Sequence, residues 1–362
     1  MKTTLTAFAG AVALAFSATA AAALDKITVA YFLEWPTANQ VAQLDKIYDE
    51  EMGVEVEWRA FGNGNEMTQA MVSGDVHIAY SQGFVPFVVG VSTGAPLKLV
   101  GIAVTYSDND DCIVSDASGI DKDNAGDELK GKKIATPIGN VTHYSLLKTL
   151  ESLGLESTDV NLVQMNPPDG AVALARGDVV MACGFGGALN RMKEFGKPLL
   201  SGEEKSAIGI NVFDIVTVTD DFAEEHPDLV KKFLEVTEKA NADFKADPDA
   251  MMEKISKAAG MDLEPTRDMI SGFGFPTADD QAGKGWMGGT VQEMTKGVAD
   301  VMVSAGGMEK ALDDYSPFID TGFLPAGMGG AGGSGGMSKD AIARELEAIR
   351  KRVDELMEMV AQ

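Results

Sequence analysis

The sequence predicts an α/β protein of two lobes, each a mainly parallel sheet flanked by helices, with a further helix at the C-terminus. Two observations carry this. Short apolar runs alternate with segments of helical spacing, which is the pattern of parallel strands joined by crossover helices. The chain also echoes itself: "AMVSGDVHIAYSQG" (70–83) and "ALARGDVVMACGFG" (173–186) share a helix end, a Gly-Asp turn and a strand closing on a Gly-containing loop. Two similar α/β units in tandem imply a cleft between them.

In the first unit "KITVAYF" (26–32) reads as a strand and "TANQVAQLDKIYDEEMG" (37–53) as a helix. "VEVEW" (54–58) is a strand, "GNEMTQAMVSGD" (64–75) a helix, "VHIAYS" (76–81) a strand, "GFVPFVVGVSTG" (83–94) a helix and "LKLVGIAV" (97–104) a strand. The second unit opens with "DCIVSD" (111–116) and continues through the strand "LKGKKIATP" (129–137), the helix "HYSLLKTLESLG" (143–154) and the strand "VNLVQM" (160–165). The helix "DGAVALARGD", the strand "VVMACGFGG", the helix "ALNRMKEFG" and the strand "PLLSG" complete it, ending at 202. A strand around Val212 to Val218 returns to the first lobe, and the helices that follow are expected to pack there. Lobe 1 is thus expected to comprise residues 24–108 and 214–325, and lobe 2 residues 109–213.

The two ends differ from this pattern. Lys2, the apolar "LTAFAGAVALAF" and the small residues "SATAAAA" have the form of a secretory signal over residues 1–23, too short in apolar length for a membrane anchor. A periplasmic location is expected. Residues 326–337 are a Gly-rich linker, and residues 338–362 carry Ile342, Leu346, Ile349, Val353, Leu356 and Val360 at heptad spacing. That seam offers self-association into a homo-oligomer; a helix docked on its own domain, or an appended segment, is the alternative. Export also bears on Cys112 and Cys183, which pair as a disulfide or remain two buried thiols.

The formal net charge of −25 excludes nucleic acid as a partner, because little is available to neutralise phosphates. No G-x-S-x-G, H-E-x-x-H, P-loop or metal-ligand spacing is present, so neither an enzyme, a cofactor nor a metal is expected. His77 and His226 read as structural. Ligands of open parallel sheets bind beyond the carboxyl ends of the strands, which singles out Phe32, Glu34, Trp35 and Thr37, then Phe61, Asn63, Asn65 and Glu66, then Tyr80, Ser81 and Gln82. In lobe 2 the same logic gives Asn140, Thr142 and His143 at a helix start, and Phe185 and Gly186. Tyr106, Asp108 and Asp214 lie on the crossings. Free N–H groups at the start of the helix "HYSLLKTLESLG" favour a small oxyanion, with Thr142 as a simple N-cap being the alternative.

The stretches "DELKGKKIATPIGNVTHYSLLKTLESLGL", "ALARGDVVMA", "VFDIVTVTDDFAEEHPDLVKKFLEVT" and "DYSPFI" resemble the periplasmic taurine-binding receptors of ABC importers, within the sulfonate, nitrate and thiamine-precursor receptor group. The resemblance spans residues 25–324. It implies a type II two-lobed periplasmic-binding-protein fold that closes on an alkyl sulfonate and delivers it to an ABC permease at the inner membrane. The group's Trp-Asp-Pro at the end of the third strand of lobe 2 is replaced here by Phe185-Gly186-Gly187. An acidic partner for the ammonium of taurine must then lie elsewhere. Glu34 beside Trp35 is the first candidate, with Asp214 and Asp108 next, so Glu34→Gln is expected to weaken taurine binding by about tenfold or more.

Overall fold

The structure, a computed structural model, describes residues 24–326. The expected signal segment, nearly all of the Gly-rich linker and the heptad helix lie outside the described residues. Ten strands are described: β1 (Lys26–Tyr31), β2 (Glu55–Ala60), β3 (Ile78–Gly83), β4 (Leu97–Tyr106), β5 (Asp110–Ser115), β6 (Lys133–Thr136), β7 (Asn161–Gln164), β8 (Met181–Phe185), β9 (Gly196–Pro198) and β10 (Val212–Thr219). They form two sheets, ordered β2-β1-β3-β10-β4 and β7-β6-β8-β5-β9.

Both sheets follow one plan. Three parallel strands (β2-β1-β3, and β7-β6-β8) are followed by an antiparallel crossing strand, β10 in the first sheet and β5 in the second. The internal echo of the sequence is therefore a repeated topology. The chain crosses once between β4 and β5, at Ser107–Asn109, and returns between β9 and β10. Parallel strands covered on both faces read as near-continuous apolar runs, and β3 is buried along its whole length.

Three elements depart from the expected pattern. The helix expected over 37–53 is two, Gln40–Leu44 and Ile47–Met52, because Lys46 adopts a left-handed conformation at φ +60°. The strand expected at "PLLSG" lies earlier, at Gly196–Pro198, where it pairs with β5. The helix of lobe 2 begins at Val141 rather than His143, with Asn140 at its N-cap. The helices after β10, led by Pro227–Ala246 and Pro248–Ala259, pack against the first sheet's side of the molecule, where Phe233 and Val236 join Ile27, Tyr48 and Tyr80 in one apolar cluster.

Cys112 and Cys183 face each other directly across β5 and β8 and are joined by a disulfide.

Candidate functional site

The ends of the parallel strands and the two crossing strands converge on a small cavity between the lobes. It is lined by Phe32, Trp35, Gly83 and Tyr106 from lobe 1, Asp110, Asn140, Val141 and Phe185 from lobe 2, and Asp214 on β10. Trp35, Tyr106 and Phe185 meet edge to face, Trp35 lying 5.2 Å from Tyr106 and 5.8 Å from Phe185 between ring centroids. These aromatic edges make a rigid, water-poor wall.

Asp214 is held on both oxygens. Ser81 Oγ donates to Oδ2 at 2.8 Å, and Tyr106 OH donates to Oδ1 at 2.8 Å. Trp35 Nε1 in turn donates to Ser81 Oγ at 2.9 Å. The placement of Ser81 has a local cause. Residues Tyr80 and Gln82 pair with consecutive residues of β10, so Ser81 is the extra residue of a β-bulge, at φ +60°. Bulges re-aim side chains beside functional sites, and this one turns a hydroxyl onto the carboxylate. Burial pushes the Asp214 carboxyl up to about 7, against the opposing pull of the Ser81 and Tyr106 hydrogen bonds.

Two helix starts face the same cavity. In the helix Val141–Ser152 the first helical bond runs from Tyr144 N–H to the Asn140 carbonyl, which leaves the N–H groups of Val141, Thr142 and His143 without helical partners. The helix Phe84–Ser92 begins just after Gly83. The Asn140 side chain does not cap its own helix. Its Oδ1 accepts from Gly64 N–H of lobe 1 at 2.9 Å, while its Nδ2 is buried without a partner among the described residues. A buried unpaired donor carries a desolvation cost, so this amide is poised for an acceptor.

The structure distributes the other predicted residues as follows. Glu34 pairs with Arg191 of lobe 2, both guanidinium arms reaching its carboxylate at 2.9 and 3.0 Å, and it is not part of the cavity lining. Asp108 is exposed and pairs with Lys205 at 3.2 Å, also away from the cavity. Gln82 is spent within lobe 1, donating to Thr68 and accepting from Thr217. Thr142 and His143 are fully buried in the first helical turn and do not line the cavity. His143 Nδ1 accepts from Gly139 N–H at 3.1 Å, and burial lowers its pKa to about 4, so the ring is neutral at pH 7. Phe61 lies on an outer groove with Phe185, and Gly186 adjoins the Glu34 loop.

The loop Asn63–Glu66 joins the lobes instead of lining the cavity. Asn63 donates to Asn166 Oδ1 at 2.7 Å, Asn166 donates to Glu66 at 3.0 Å, and Asn65 donates to the Ile138 carbonyl at 2.7 Å. With the Glu34–Arg191 pair these bonds hold the cleft closed. The Phe185-Gly186-Gly187 sequence also gains a reason. A Cβ on Gly186 would stand 2.5 Å from the Glu34 carbonyl oxygen, and one on Gly187 would stand 2.6 Å from the Glu34 carboxyl carbon. A side chain at 186 is incompatible with the Glu34 backbone in this position, and one at 187 would push the Glu34 carboxylate aside.

Sequence reasoning missed Asp110. It opens β5 beside Phe185, is 3% exposed, lines the cavity, and its Oδ1 has no partner among the described residues. The available signal was the acidic pair Asp110-Asp111 leading into the apolar "CIVS" after the crossing.

Comparison with known proteins agrees with this geometry. A family profile described as NMT1/THI5 like matches residues 39–251. The chain is 31% identical over 318 residues to the taurine-binding periplasmic protein of Escherichia coli, covering 86% of this chain and 96% of that protein. It is 29% identical over 235 residues to a putative aliphatic sulfonates-binding protein of Bacillus subtilis, covering 61% of this chain and 68% of that one. Among solved structures, the alkanesulfonate-binding protein SsuA of Xanthomonas axonopodis pv. citri bound to MOPS superposes with a TM-score of 0.68 at 17% identity, over 82% of this chain and 98% of that one. The desulfurization enzyme DszB shares the fold, with a TM-score of 0.58 at 16% identity, over 83% and 97%. The chain belongs to the NMT1/THI5-like family and is a two-lobed periplasmic binding protein.

Proposed function

We propose that the protein is the receptor of an ABC importer, capturing taurine between its lobes and delivering it to an inner-membrane permease. The observation that carries this reading is the pairing of opposite demands within one small cavity. The Asn140 amide has an unused donor beside a helix start, which suits a sulfonate, and the buried Asp214 carboxylate stands among aromatic edges, which suits an ammonium. A short zwitterion answers both at once; a simple anion answers one.

Closure supplies the energy difference between states. Ligand bridges groups from both lobes, so it binds the closed form better than the open one and shifts the population accordingly. We read the site as binding rather than catalytic. The Ser81 hydroxyl, bonded to a buried carboxylate, does not line the cavity and has its donor on Asp214 and an acceptor position on Trp35. Calorimetry against taurine, ethanesulfonate, nitrate and a pyrimidine tests the proposal. Stoichiometric binding that favours taurine, with the ligand recovered intact, is expected. Preference for an amine-free anion, or consumption of the ligand, rejects it.

A further inference from the structure

Asp110 is a buried carboxylate whose Oδ1 has no hydrogen-bond partner among the described residues. The nearest described cation, Lys205, is fully used. Its ammonium has three donors, and these meet Asp111 at 2.8 Å, Asp108 at 3.2 Å and the Ser107 carbonyl at 3.0 Å. The other carboxylate of the cavity, Asp214, has both oxygens occupied by protein donors. Between the two carboxylates that line the cavity, Asp110 is the one with an oxygen, Oδ1, that no donor reaches among the described residues. A charge in this position is costly unless a cation joins it.

Resting on the reading of the site as an aminosulfonate receptor, we infer that Asp110 is the residue that selects ligands bearing a primary ammonium over amine-free sulfonates. A primary ammonium carries three N–H donors, enough to serve Asp110 Oδ1 and the remaining lone pairs of Asp214 together. An alkanesulfonate of the same length leaves Asp110 buried and unpaired, and that penalty sets the discrimination, as it does wherever a polar site meets a ligand lacking its partner group.

The test compares taurine with ethanesulfonate by calorimetry on wild type, Asp110→Asn and Asp110→Ser, with a thermal melt of each ligand-free protein to establish folding. Wild type is expected to prefer taurine by about a hundredfold or more, and the variants to reduce that ratio at least about tenfold through loss of taurine affinity. Equal loss for both ligands means a structural role and overturns the inference, as does an unchanged ratio in the folded variants. Wild type that binds neither sulfonate overturns the receptor reading itself, and this inference with it.

Discussion

Glu34 of lobe 1 and Arg191 of lobe 2 are joined across the mouth of the cleft by a bidentate ion pair, 157 residues apart in the chain. The Glu34 backbone reinforces it, its carbonyl accepting from Gly187 N–H at 3.1 Å and its N–H donating to the Ala259 carbonyl at 2.8 Å. Glu34 holds φ at +54°, a conformation that costs a non-glycine residue about 1 kcal/mol or more and persists only where neighbours enforce it. This pair bridges the lobes outside the cavity lining. Its side chains are 36% and 45% exposed, so solvent screens the pair and its net contribution is below about 1 kcal/mol.

Glu34→Gln and Arg191→Ala should each weaken binding by up to about fivefold, equally for taurine and ethanesulfonate, and the wild-type affinity should fall with added salt. Titrations at two ionic strengths check this. A loss of tenfold or more confined to taurine would return Glu34 to the role the sequence suggested.

Asp214→Asn should reduce taurine affinity by about a hundredfold, or about 2.7 kcal/mol, because the amide cannot balance an ammonium. The same substitution should stabilise the ligand-free protein at pH 8, since it removes a buried charge that nothing neutralises. The sign follows from the raised carboxyl. The folded state keeps the proton up to about pH 7 and the unfolded state releases it near 3.8, so stability declines as pH rises through that window. The full decline is on the order of 4 kcal/mol. Melting curves of both proteins at pH 5 and pH 8 measure it, and wild type that melts higher at pH 8 contradicts the assignment.

How much of this was legible beforehand depended on how far apart the cooperating residues lie. The sheets followed from local alternation, and the "SGDV" and "RGDV" turns announced a repeated topology. Trp35, Phe185 and Asp214 were found because strand ends and crossings are where such sheets bind ligands. The pairing of Glu34 with Arg191 was not foreseen because its partner lies on a distant helix and no local pattern records the pair. Asp110 was missed because an acid opening an apolar run reads as a solvated strand end. Only the packing of Phe185 and Tyr106 around it makes that position dry.

Taurine affinity should rise with pH through about 7. Only the ionised carboxylate pairs with an ammonium, and the ligand-free Asp214 carboxyl is protonated below that value. The groups facing it do not reverse this direction. Burial pushes Tyr106 well up, so its phenol stays neutral, and Asp111 is balanced by Lys205. Burial also raises Asp110, so the two cavity carboxyls titrate as a coupled pair and binding releases protons. Calorimetry at pH 6 in buffers of different ionisation enthalpy should show net proton release. Proton uptake, or no buffer dependence, would remove the carboxylates from the ammonium site.

Gly83 and Val141 meet across the lobes where the two helix starts approach. A Cβ on Gly83 would stand 2.8 Å from Val141 Cγ2. Gly83 has φ −59°, so alanine meets no backbone strain, and any effect must come from the cross-lobe contact or from the cavity it adjoins. Valine is stiff about χ1 and cannot swing aside cheaply. Gly83→Ala should therefore hold the lobes apart, weaken taurine binding by about tenfold and enlarge the ligand-loaded particle in small-angle scattering. Adding Val141→Ala removes the offending methyls, so the double variant should regain much of the affinity and the compact form. Recovery of compactness without recovery of affinity would mean that the Gly83 methyl intrudes on the ligand itself, whereas recovery of neither would show that closure does not turn on this contact.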